Sequence, residues 1–123
     1  MKKYLIAGVF AGFLFAPLSA FAYPNYCTYN MSAFCSAEVI YKSNTCSYDV
    51  AEDSMGNYFI FEWLGGSYPL VGNTIYGQWY SYVIKTMYNL AYYGYPATRI
   101  YVVSPMVSQY NLLEQYSTYC PSL

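Results

Sequence analysis

At about 100° per residue, Thr74, Gln78, Ser81, Lys85, Asn89 and Tyr92 fall on one stripe of a cylinder. Tyr76, Trp79, Tyr80, Val83, Met87, Leu90 and Ala91 fall opposite. This spacing predicts a long helix over 74–93. Asn73 stands at its N-cap, Gly94 where a left-handed C-cap belongs, and Pro96 just beyond. A strand precedes it: Tyr58 to Leu64 is aromatic and β-branched, bounded by Gly56-Asn57 and Gly65-Gly66, and apolar on both faces. A second strand follows over 99–103 (Arg-Ile-Tyr-Val-Val). A last helix is predicted over 105–117, with Ser104-Pro105 at its start and Met106, Tyr110 and Leu113 at helical spacing.

Before residue 58 the chain is irregular and polar. Ser32 would cap a helix running to about Lys42; Val39, Ile40 and Tyr41 make a strand over 37–42 the other reading of that segment. Asn44-Thr45 marks a turn, 47–50 a short strand, and 51–57 an acidic loop. The order strand, helix, strand, helix implies a β-α-β unit with a right-handed crossover. The expected class is α+β, a small two-layer sandwich held by disulfides.

The first 22 residues read as a secretory signal peptide. Lys2 and Lys3 are followed by an apolar run over 5–18 and by an Ala20-Phe21-Ala22 cleavage site. Residues 23–123 would then form one small domain. No later run is long and apolar enough to span a bilayer. The Met-Lys-Lys opening points to a bacterial protein of the periplasm or the medium. The remainder keeps three cations (Lys42, Lys85, Arg99) against six anions, a net charge of −3. Three scattered cations make no phosphate footprint, which argues against nucleic acid and against anionic lipid.

Four cysteines in an exported chain of this size imply two disulfides. Cys27, Cys35, Cys46 and Cys120 allow three pairings. Cys35–Cys46 with Cys27–Cys120 is preferred, the first closing a local loop and the second tying the two ends together. There is no C-x-x-C pair, and the spacings lack the paired knuckles of a zinc site. Histidine is absent altogether, which removes most general-base and triad schemes and the commonest metal ligand. No metal, cofactor or catalytic residue is expected. The strongest carboxylate candidate is Glu62, set within an aromatic strand where burial would raise its pKa. With a partner it would serve a small glycan hydrolase; without one it guards the Tyr-Phe-Ile-Phe run against aggregation.

Tyrosine dominates what remains. Eighteen of the 19 tyrosines lie beyond residue 22, against three phenylalanines. Tyrosine couples a large apolar body to a polar tip at low rotamer cost, as recognition surfaces require, but it also fills cores and rims. Tyr92, Tyr93 and Tyr95 crowd the end of the predicted long helix, and Tyr58 and Trp63 sit on the aromatic strand; these five are the candidate binding residues. The function expected is non-enzymatic binding of a protein or a carbohydrate through a tyrosine-rich surface. Inhibition of a secreted enzyme and glycan hydrolysis through Glu62 are the alternatives.

Overall fold

Alternation between two faces, not a helical repeat, governs the chain from residue 35 to 107. The computed structural model describes residues 24–121. Among the described residues, six strands precede one helix: β1 (Cys35–Tyr41), β2 (Tyr48–Glu52), β3 (Tyr58–Gly66), β4 (Thr74–Gly77), β5 (Ile84–Asn89), β6 (Ala97–Val107) and α1 (Gln109–Tyr119). The strands close into a barrel in the order β1-β2-β3-β6-β5-β4, every neighbouring pair antiparallel. β4 returns to lie beside β1, so β4-β1-β2-β3 is a Greek key. β5 folds back on β4, and β6 fills the gap between β5 and β3.

The barrel interior is packed with side chains. Ala37, Val39, Ala51, Phe59, Phe61, Ile75, Met87, Ile100 and Val102 point inward at alternating positions. Trp79, from the segment joining β4 to β5, is completely buried among them. Its ring lies 5.3 Å from Phe59 and 5.4 Å from Phe61. Its Nε1 donates to the Ile75 carbonyl at 2.9 Å, which satisfies its one polar atom. Gly77 makes room for this packing, since a Cβ there would collide with the Met87 side chain.

A second core forms outside the barrel. Val50, Tyr58, Ile60 and Val107 face outward from β2, β3 and β6 and meet Leu112, Tyr116 and Tyr119 of α1. The Tyr116 hydroxyl donates to the Tyr48 carbonyl at 2.7 Å. β6 reaches this core through a bulge. Tyr58 pairs with Val107 but Ile60 with Ser104, so β6 carries one extra residue. Pro105, which has no N–H to give, occupies the bulge, and Met106 there has a φ of 57°.

The structure corrects the α+β expectation. Among the described residues there is no β-α-β unit, and strands 58–64 and 99–103 lie in β3 and β6, which are antiparallel neighbours. The helix expected over 74–93 is β4, a connecting segment and β5. Ile75 and Asn89, which the helical reading put outside its apolar face, are fully buried, whereas Val83 is 53% exposed. The cap signals are real but serve turns. Asn73 Oδ1 accepts from Leu70 N and Asn89 Nδ2, ordering the β3–β4 loop, and Gly94 takes its positive φ in the β5–β6 turn. The helix expected over 32–42 is β1, the strand reading of that segment. The last helix begins later than 105, at Gln109, with Ser108 as its cap. The signal peptide expected over 1–22 lies outside the described residues.

Both disulfides form, with a different pairing: Cys27–Cys35 and Cys46–Cys120. The reason is strand length. β1 begins at Cys35 and, at about 3.3 Å per residue, carries the chain roughly 20 Å away before Cys46. A disulfide tolerates a Cα separation of only about 7 Å. α1 runs back along the barrel and delivers Cys120 to the β1–β2 loop, with a Cα–Cα distance of 5.9 Å. Cys27 lies beside the start of β1, 5.2 Å from Cys35. Two such bridges mark a protein of an oxidising compartment. Among the described residues, no helix is long and apolar enough to cross a membrane.

Candidate functional site

α1 covers one side of the barrel and leaves another open. On β4, β5 and β6 the inward positions are taken by Ile75 and Gly77, Met87 and Asn89, and Thr98, Ile100 and Val102. Alternation therefore turns Thr74 and Tyr76, Ile84, Thr86 and Tyr88, and Ala97, Arg99 and Tyr101 outward. Register aligns them across the wall. Tyr76 stands opposite Tyr88, Tyr88 opposite Ala97, Thr86 opposite Arg99 and Ile84 opposite Tyr101. Phe34, just before β1, extends the row with its ring 5.5 Å from Tyr76. At one end of the wall Tyr29, Tyr80 and Tyr82 form an edge-to-face chain, with centroids 5.4 and 6.1 Å apart.

Comparison with protein-family models, with curated proteins and with solved structures finds no match. The geometry of the site carries the functional reading.

The five residues singled out from sequence do not form one surface. Tyr92, Tyr93 and Tyr95 stay together in the β5–β6 turn, just beyond Tyr88 and Ala97. All three are exposed, Tyr93 completely. Tyr58 is only 9% exposed, inside the core beneath α1. Burial, and then the neighbouring Glu52 carboxylate with which it hydrogen bonds, push its hydroxyl pKa up. Trp63 is half-buried and packs edge-on against Tyr68, 4.8 Å between centroids, in a cleft at the loop end of the barrel. The helical reading hid Phe34, Tyr76 and Tyr88. The alternation of Thr74-Ile75-Tyr76-Gly77 and of Thr86-Met87-Tyr88-Asn89 is the signal that exposes them.

The wall supplies aromatic area, hydroxyl tips and, among its outward positions, a single charge at Arg99. Such a surface suits non-covalent recognition. The carboxylates lie elsewhere. Asp53 is consumed structurally, accepting from the backbone N–H of Cys27, Met55 and Asn57 and from Asn57 Nδ2. Glu62 faces outward from β3, between Tyr48 and Tyr101 in register, and shares the Trp63 cleft with Asp49. Asp49 is buried, which raises its pKa; the Lys42 ammonium, 2.7 Å away, partly offsets that. Among the described residues, no group of three or more Cys, Asp or Glu side chains is placed to hold a metal ion.

Proposed function

We propose that this chain is an exported, non-enzymatic binding protein of the periplasm or the medium that docks on a protein partner through the β4–β5–β6 wall. The row of Phe34, Tyr76 and Tyr88, continued by Tyr92, Tyr93 and Tyr95, carries the reading. These rings stand on the convex outside of a rigid barrel, as an extended contact with another surface requires. Tyr and Arg are the residues that supply most binding energy at protein interfaces. An inhibitor of a secreted enzyme would use the same wall and differ only in its partner. Hydrolysis through Glu62 has less support, because Lys42 holds the second carboxylate of its cleft in an ion pair.

The test is site-specific photo-crosslinking in the source cells. A benzophenone side chain at Thr86 is expected to trap one partner, and Tyr76→Ser with Tyr88→Ser to abolish the adduct. Loss of two such anchors costs about 2 kcal/mol or more each, some thirtyfold in affinity apiece. A probe at Glu114, on the exposed side of α1, is the control. If Thr86 traps no more than Glu114 does, the wall is not the docking surface.

A further inference from the structure

The β1–β2 and β3–β4 loops enclose a cleft of about 270 Å³ at one end of the barrel, lined by Ser43, Ser47, Asp49, Glu62, Trp63 and Tyr68. We infer that this cleft is a second binding site, for one pyranose unit of a neutral glycan. The inference is independent of the tyrosine wall.

The walls of the cleft are unlike one another. Trp63 and Tyr68 form an aromatic corner, and the Tyr68 ring is 51% exposed. Aromatic faces of this kind stack on the apolar C–H face of a sugar ring. The other walls carry hydroxyl and carboxylate groups, which bind sugar hydroxyls. Trp63 also brings a buried indole N–H that has no hydrogen-bond partner among the described residues. A buried donor left in that state costs free energy, and native proteins keep few of them.

Charge decides the ligand class. Among the described residues, Lys42 is the only cation at the cleft, and it is already committed. Its Nζ is bonded to Asp49 and lies 4.3 Å from the centre of the Tyr68 ring. Asp49 neutralises it, and Glu62 leaves the cleft one charge negative, which repels an anion. The Tyr68 face seen by Lys42 is closed to any ligand, cation or sugar, which leaves the rest of the Trp63–Tyr68 corner for stacking. A neutral ligand rich in hydroxyls remains. The site is also rigid. Asp49 stands on β2, Glu62 and Trp63 on β3, and the Cys46–Cys120 bridge pins the loop that carries Ser43 and Ser47. Rigid elements hold binding groups in place before the ligand arrives.

The chain has two tryptophans, so the nitrogen–proton spectrum of the oxidised protein shows two indole resonances. That of Trp79, bonded to Ile75 inside the barrel, is the internal control. The probes are maltotriose, cellotriose and chitotriose, each raised to about 20 mM. The Trp63 resonance is expected to shift saturably with at least one of them, with a Kd of about 1 mM, while Trp79 stays still. Tyr68→Ala should weaken that binding about tenfold, and Tyr88→Ser should leave it unchanged. Because Tyr68 is an exposed loop residue, its truncation leaves both cores intact. The inference is overturned if no trisaccharide moves Trp63, if both indoles move together, or if Tyr68→Ala binds as well as the parent. A shift caused instead by inorganic phosphate or tetramethylammonium also overturns it.

Discussion

Replacing Cys46 and Cys120 together by alanine removes the bridge that joins the end of α1 to the β1–β2 loop. The loop it closes has a sequence separation of 74, against 8 for Cys27–Cys35. The chain-entropy relation assigns about 4.4 kcal/mol to the long bridge and about 2.5 kcal/mol to the short one. Three of the four cysteines are buried, so the packing lost is similar in the two double variants. The difference of about 2 kcal/mol therefore isolates the loop term. Against a total stability of about 5–15 kcal/mol for a domain of this size, losing the long bridge is severe. Urea unfolding at neutral pH, followed by tryptophan fluorescence and by far-ultraviolet circular dichroism, measures both variants. Each should also show a larger m-value, because its unfolded chain is less constrained. If Cys27→Ala/Cys35→Ala costs as much as Cys46→Ala/Cys120→Ala, or more, the loop-entropy reasoning fails.

Two further outcomes follow from single side chains. Trp79→Ala empties the middle of the barrel and should cost about 3–5 kcal/mol, read as a collapse of near-ultraviolet dichroism and a lower urea midpoint; a cost below about 1 kcal/mol would mean that the barrel is not packed around this ring. Asp49 has its folded-state pKa raised above the ordinary 3.8 by burial. The folded protein therefore keeps this proton at a pH where the unfolded chain gives it up. The stabilising contribution is complete below 3.8 and is lost as pH rises through the folded-state value. Parent stability minus Asp49→Asn stability, from urea titrations across the acid range, should fall with rising pH, and a difference that climbs would refute the assignment.

What the sequence disclosed depended on how many meanings a residue allowed. Tyr58 to Leu64 has only one reading, because a continuous apolar run of strand length between glycine turns fits little else. The core of β6 and most of α1 were equally legible. The stretch 74–93 was not, because Trp79, Val83 and Met87 recur every fourth residue and satisfy a helix, whereas barrel pairing uses Ile75 and Met87 as alternating strand positions. Asn73 and Gly94 are ambiguous in the same way, since caps and turns draw on one chemistry. Tyrosine hid the site for a related reason. The same side chain is buried at Tyr116 and fully exposed at Tyr93, so its count says nothing about its place. The turn tyrosines at 92, 93 and 95 could be found as a sequence cluster, whereas Phe34, Tyr76 and Tyr88 meet only when strands distant in sequence align. The disulfide pairing needed β1 to be recognised as extended.

The position of β6 sets a timetable for folding. β1 to β5 can assemble only as an open sheet, because β3 and β5 both await the strand contributed by residues 97–107. Until it arrives, the Tyr-Phe-Ile-Phe run of β3 has an unpaired margin, the situation in which strands seek neighbouring molecules. Pairing at such long sequence separation is slow. The two oxidations are staggered accordingly. Cys27 and Cys35 can join while most of the chain is still loose. Cys46 and Cys120 are held in reach of each other only where α1 has docked, so the second bridge is favoured by a finished barrel.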